Sequence, residues 1–170
     1  MRLVILGAGG YGQTVADVAR QLGRCSEVRF LDDGKTGPEI LGTCCEFASF
    51  ADGDTWMYPA FGNNESRLAW LDRLAAAGIP IPTLVHPTAY VSPRAELAEG
   101  VTVLPKAVVN TDCRVERGVI VNCGVLLDHG CVVEEGVHLS PGAIIKAENR
   151  VPKLVKIESG QVIQNRFWPL

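Results

Sequence analysis

The sequence predicts a small parallel α/β unit followed by a parallel β-helix, and two patterns carry that expectation. A glycine-rich turn, GAGGYG at residues 7–12, stands between a short apolar run and a stretch with helical spacing. From Val85 onward an aliphatic residue recurs every six positions: Val85, Val91, Leu97, Val103, Val109, Val115, Val121, Leu127, Val133, Leu139 and Ile145. Apolar residues make up 47% of the chain, so eleven aliphatics in strict register are very improbable by chance. Sixfold repetition of this kind is the signature of a parallel β-helix. The length of 170 residues suits one domain or two small ones.

The first unit is expected over residues 1–82. Leu3–Leu6 reads as a buried parallel strand, and Val15, Val18, Ala19 and Leu22 recur at helical spacing after the glycines. Glycines let a phosphate approach the backbone, and a helix N-terminus attracts negative charge. A second strand in EVRFLDDGK ends at Asp32 and Asp33, about twenty residues past the glycines, where a ribose-binding acid is usual. Alternatively, the pair caps a turn at DDG. A third strand is expected over 56–61, then a turn at Gly62-Asn63-Asn64. A helix capped by Ser66 or Asn64 follows, with Leu68, Leu71, Leu74 and Ala75 inward. Arg67 in its first turn opposes the helix dipole, which suggests either an anionic partner or a solvated arginine. The three prolines of PIPTLVHP, residues 80–87, mark a connector.

In the second unit the position four after each of the first ten aliphatics is small, as in Ala107, Cys113, Cys131 and Ala143. Glycines at 100, 118, 124, 130, 136 and 142 fall three after the aliphatic, where a turn wants relaxed dihedrals. Residues eighteen apart should stack on one face, putting Cys113 under Cys131, Asn110 under Asp128 and Lys146, and Thr111 under His129 and Ala147. The register is expected to end at Ile145, which gives about three coils over residues 83–146. Residues 147–170, with strand-like LVKI and QVI, are expected to be a separate tail that is helical, a hairpin or swapped onto a neighbour. So short a prism has an under-covered apolar end, so association or capping is expected.

A net charge of −3 gives no bulk attraction to nucleic acid or an anionic membrane. The start MRLVILGAGGYG has neither a signal-peptide h-region nor the length of a membrane span, so a cytoplasmic protein is expected. Six cysteines without a C-x-x-C pair argue against zinc or another bound metal and for free thiols.

The hexads resemble those of the hexapeptide transferase superfamily, whose β-helix is left-handed. GAGGYG, FLDD and GNN joined through LVHPTAYVSPRA to such coils resemble the bacterial NeuD/PglD-type sugar acyltransferases over residues 1 to about 145. The N-acetyltransferases acting on UDP-4-amino-sugars are the nearest likeness. The resemblance implies a Rossmann-like N-terminal unit that holds a UDP-sugar through Gly9, Gly10, Gly12, Asp32, Asp33, Gly62 and Asn63. It also implies acetyl-CoA as co-substrate and a homotrimer with active grooves between subunits. LDHGCVVEEGVH is similar to the family's catalytic stretch, which makes His129 the general base and Asp128 its acidic neighbour. His138 and Asn122 then lie near the acetyl group. The residues themselves allow this: a sugar amine must lose a proton as it attacks a thioester, and an imidazole of pKa about 6.5 suits neutral pH. Both histidines avoid the interior slots, so a histidine ladder or an interface contact is the alternative. His86, before a proline, reads as structural. The family often has histidine where Tyr11 stands, and it has further coils after the catalytic one. An end at Ile145 would therefore leave a sugar-nucleotide-binding scaffold without a donor site as the second reading. An NAD-linked oxidoreductase is disfavoured, because about eighty residues are too few for both halves of a dinucleotide fold.

Overall fold

A computed structural model describes residues 1–170, which divide into two compact units, Met1–Pro82 and Thr83–Leu170. No helix is long and apolar enough to cross a membrane.

The first unit is built on a four-stranded parallel sheet. Its strands are β1 (Arg2–Leu6), β2 (Glu27–Leu31), β3 (Ile40–Gly42) and β4 (Thr55–Pro59), in the order β3-β2-β1-β4. Leu3, Val4, Ile5 and Leu6 of β1 are all fully buried, as a central parallel strand requires. Helix α1 (Gly10–Leu22) buries Val15, Val18 and Ala19 and stops at Gly23, whose φ of 64° provides a left-handed cap. Helix α2 (Asn64–Ala76) buries Arg67, Leu68, Leu71 and Leu74. The expected third strand at 56–61 lies at Thr55–Pro59, and Ala75 is exposed, not inward. The cap of α2 is neither Ser66 nor Asn64 but Asn63, whose Oδ1 accepts the Ser66 N–H at 2.8 Å. Strand β3 and a 3-10 helix at Cys44–Phe50 were not foreseen.

The second unit is the left-handed parallel β-helix. Fourteen two-residue strands stack into three parallel sheets. One contains β5 (Leu84–Val85), β8 (Thr102–Val103), β11 (Ile120–Val121), β14 (His138–Leu139) and β17 (Lys156–Ile157). The next contains β6 (Tyr90–Val91), β9 (Val108–Val109), β12 (Leu126–Leu127), β15 (Ile144–Ile145) and β18 (Val162–Ile163). The third contains β7 (Glu96–Leu97), β10 (Arg114–Val115), β13 (Val132–Val133) and β16 (Arg150–Val151). Each second residue is the hexad aliphatic and enters the core, while the first points outward.

The coils do not end at Ile145. Val151, Ile157 and Ile163 continue the register inside the same core, so residues 147–170 are coil followed by a short covering segment, not a separate tail. What changes is the small slot: Asn149 stands where every earlier hexad has Ala, Val or Cys. It is fully buried but satisfied, donating to the carbonyls of Lys146 and Gln164 at 2.8 Å each and accepting the Trp168 N–H at 2.9 Å. Trp168 packs on the core beyond it.

Corner geometry is equally regular. Every residue three after an inward aliphatic, from Gly100 to Arg166, has φ between 53° and 69°, including the non-glycines Lys106, Asp112, Glu148, Leu154 and Arg166. Cys113 and Cys131 fill small slots as free, buried thiols, donating to the carbonyls of Asp128 at 3.0 Å and Lys146 at 3.3 Å. The hydrogen bond with Cys113 and burial push the Cys131 thiol up.

Candidate functional site

Strand order reverses between β1 and β4, because β2 and β3 extend one way and β4 the other. In an open parallel sheet the crevice outside the carboxyl ends at such a reversal is the usual ligand site. Two turns meet there, residues 7–9 after β1 and 60–63 after β4. Gly7 has φ 98°, and a Cβ on it would lie 3.2 Å from the Ala60 carbonyl oxygen. A Cβ on Gly12 would sit 1.9 Å from the Gly7 carbonyl oxygen, so buried Gly12 serves close packing rather than presenting backbone to a ligand. Gly9, Gly10 and Gly62 are exposed with open space around them. Gly9 occupies the cap position of α1 and no side chain caps that terminus. Of the expected turn residues, Gly9 and Gly10 thus keep backbone accessible to an anion, while Asn63 is engaged as the α2 cap.

The acid pair is tied to backbone. Asp32 accepts the N–H of Ala8 at 2.7 Å through Oδ2 and those of Gly34 and Lys35 at 2.9 and 2.8 Å through Oδ1. Burial works to raise its pKa, but those three donors and the Lys35 ammonium hold the carboxyl below its ordinary value. Asp33 accepts the Cys44 N–H at 2.8 Å, at the start of the 3-10 helix. Both carboxylates also line a cavity of about 420 Å³ with Lys35, Thr36, Thr43 and Glu46. A second opening of about 300 Å³ on the same loop includes Ala8, Gln13 and Lys35.

Arg67 is not a solvated arginine. It is fully buried and donates to the Phe61 carbonyl at 2.9 Å and Asn64 Oδ1 at 3.0 Å, stitching the second turn to its own helix. Burial pushes its pKa down, and Tyr11 and Tyr58, whose hydroxyls meet at 2.9 Å, oppose that.

On the coils the four expected site residues fall on two different sheets. Asn122 follows β11, and its amide meets Nε2 of His138 on β14 at 3.2 Å. Asp128 and His129 follow β12 at the next corner. Asp128 accepts the backbone N–H of His129 at 2.7 Å and the Asn110 amide at 3.5 Å, so its carboxylate shapes the corner beside the ring. His129 is exposed, and its hydrogen bonds are made by its backbone. The outward column beside it, Tyr90, Val108, Leu126, Ile144 and Val162, is apolar, with Tyr90 55%, Leu126 41% and Val162 42% exposed. The sheet of β7, β10, β13 and β16 instead faces outward with charge, as in Arg114–Glu96 and Arg150–Glu134. His86 is buried with Nδ1 accepting the Thr88 N–H at 3.1 Å, a corner-holding role.

Comparison with known proteins decides the family. A profile described as PglD N-terminal domain matches residues 2–74. The acetyltransferase domain of PglB from Neisseria gonorrhoeae FA1090 is 35% identical, with a TM-score of 0.95 over 97% of this chain and 83% of that one. The chain belongs to the NeuD/PglD-type sugar acyltransferase family. The same Neisseria domain has been solved in complex with acetyl coenzyme A; that structure is 36% identical with a TM-score of 0.95 over 97% of this chain and 82% of that one. PerB from Caulobacter crescentus, solved with CoA and GDP-perosamine, is 22% identical with a TM-score of 0.78 over 100% and 92% of the two chains. At that identity it shares the fold.

Within this NeuD/PglD-type chain, sequence reasoning missed Lys35. Its ammonium donates to the Ala8 carbonyl at 2.6 Å and borders both openings. A cation directly after DDG, beside a phosphate-type turn, was the available signal.

Proposed function

We propose that the protein transfers the acetyl group of acetyl-CoA to the amino group of a UDP-linked amino sugar, with His129 as general base. The observation that carries this is the likeness to a 36%-identical acetyltransferase domain solved with acetyl coenzyme A, matching 97% of the chain. The premise of the scaffold reading, hexads stopping at Ile145, does not hold, since the coil core reaches Ile163. The first unit supplies the sugar-nucleotide site, with Gly9, Gly10 and Lys35 toward phosphate and Asp32 and Asp33 toward the nucleoside. At the coil, the amine nitrogen attacks the thioester carbon, His129 takes the amine proton, and the C–S bond breaks. The proton passes to the departing thiolate, giving free CoA and an acetamido sugar. Asp128 lies beside the imidazolium formed on the way.

Assembly is part of this reading. His129 borders the exposed apolar column, and the Asn122–His138 pair stands on another sheet, so a homotrimer docked on that column would let one subunit's His129 work beside a neighbour's pair. Apolar exposure of that length marks an interaction surface.

The test is CoA release with UDP-linked and GDP-linked 4-amino sugars, together with ligand-induced shifts in Tm. His129→Ala should lower turnover by about 10²–10⁴-fold while the UDP-sugar shift persists. Unchanged turnover removes His129 from the mechanism, and preference for the GDP-sugar refutes the uridine assignment.

A further inference from the structure

The Asn122–His138 contact determines a protonation state as well as a position. Oδ1 of Asn122 accepts the Cys123 N–H at 2.8 Å, which settles that the nitrogen end of the amide faces the ring. An amide nitrogen has no lone pair to offer, so Nδ2 donates and Nε2 of His138 accepts at 3.2 Å. A ring nitrogen that accepts carries no proton. In a neutral imidazole the hydrogen therefore resides on Nδ1, which is buried.

Lys156 on β17 pairs in register with His138 at strand spacing of about 4.8 Å and bonds Glu158 at 3.2 Å. Ile120 on β11 pairs on the other side, and Ser140, just after β14, is buried. A proton added at Nε2 would meet the Asn122 N–H head on. The exposed His129 ring has no such donor pressed on it.

We infer that Asn122 is a positioning residue that holds His138 as the Nδ1–H tautomer, which withdraws His138 from the base role and leaves proton abstraction to His129. The second half of that statement rests on the acetyl-transfer reading; the tautomer does not. His138, with its Nε2 lone pair committed, cannot take the amine proton without breaking the Asn122 bond.

The experiment is a two-bond proton–nitrogen correlation spectrum of the full chain labelled with ¹⁵N-histidine, at a pH above imidazole titration. His138 is assigned by its loss in His138→Gln. The wild type should give a pyridine-like Nε2 and a pyrrole-like Nδ1. Asn122→Ala should move His138 toward the Nε2–H form that free imidazole favours in water. Asn122→Asp, of nearly the same shape, should move it further, because a carboxylate there demands a donor; it also serves if the alanine variant folds poorly. A protonated Nε2 in the wild type, or a tautomer unchanged in Asn122→Asp, overturns the inference. Neither measurement needs a substrate, so this failure is separable from an unaffected turnover in His129→Ala, which would instead refute the catalytic reading.

Discussion

Replacing Asn149 by alanine puts the repeat pattern and the structure in direct opposition. Alanine is what the small slot holds in several earlier hexads, so the pattern alone makes Asn149→Ala neutral or stabilising. The structure requires a loss. The variant strips the amide from the Lys146 and Gln164 carbonyls and the oxygen from the Trp168 N–H. The Lys146 carbonyl keeps the Cys131 thiol at 3.3 Å and is not orphaned. The Gln164 carbonyl likewise keeps the Phe167 N–H at 3.2 Å, so only the Trp168 N–H is left without its partner, and the net cost is about 1–2 kcal/mol. Coils contact only their neighbours, so the loss should be local to the last turns. Native-state hydrogen exchange reads it: the amides of Trp168 and of Arg150, which bonds the Trp168 carbonyl at 2.7 Å, should lose protection while the amide of Val121 keeps it. An Asn149→Ala protein with wild-type protection at Trp168 would show that the buried amide holds nothing in place.

Leu154 sits at a corner with φ 63°, where an L-residue is strained by about 1–2 kcal/mol. Leu154→Gly should therefore raise the unfolding free energy read from urea titration by up to about 1 kcal/mol after glycine's entropic cost. Gly124→Ala, at φ 66° with open space for a Cβ, should lower it by a similar amount. Asp32 has its carboxyl held low in the folded chain, so the folded state binds fewer protons than the unfolded one. Its stabilisation is fully present above the unfolded carboxyl pKa of about 3.9 and is lost as pH falls through the folded value. Asp32→Asn should accordingly flatten the fall in Tm on acidification. Leu126→Glu, in the exposed apolar column, should dissociate the proposed trimer in sedimentation velocity while the circular dichroism spectrum is retained.

The inward aliphatics could be read directly because each coil repeats one steric requirement, a branched chain filling a narrow core. Their continuation at Val151, Ile157 and Ile163 was equally visible, but a second rule obscured it. The small slot tolerates a polar residue if every polar atom is paired, and Asn149 achieves that through Gln164 and Trp168, fifteen and nineteen residues away. A sequence pattern that scores size alone cannot see such pairing. The corner conformation was hidden in the same way. Glycine betrays it at seven corners, whereas Lys106, Asp112, Glu148, Leu154 and Arg166 adopt it because ladder bonds on both sides leave no alternative. In the first unit, β3 has three residues and ends in glycine, too short to display alternation.

The candidate site divides along the same line. Histidine identity and outward phase follow from position in the hexad, so His129 and His138 could be named from spacing. The Asn122 amide orientation depends on the Cys123 N–H and on an eighteen-residue coil step that sets β14 beside β11, which is tertiary information. The same holds for the acids: Asp32 and Asp33 stand where a ribose acid belongs, yet four backbone N–H groups already occupy them. Such partners hold both carboxylates in place, and both stay at the cavity wall. Ordering by backbone donors and exposure to the cavity are therefore compatible here: the bonds that cap the DDG turn also hold the carboxylates at that wall.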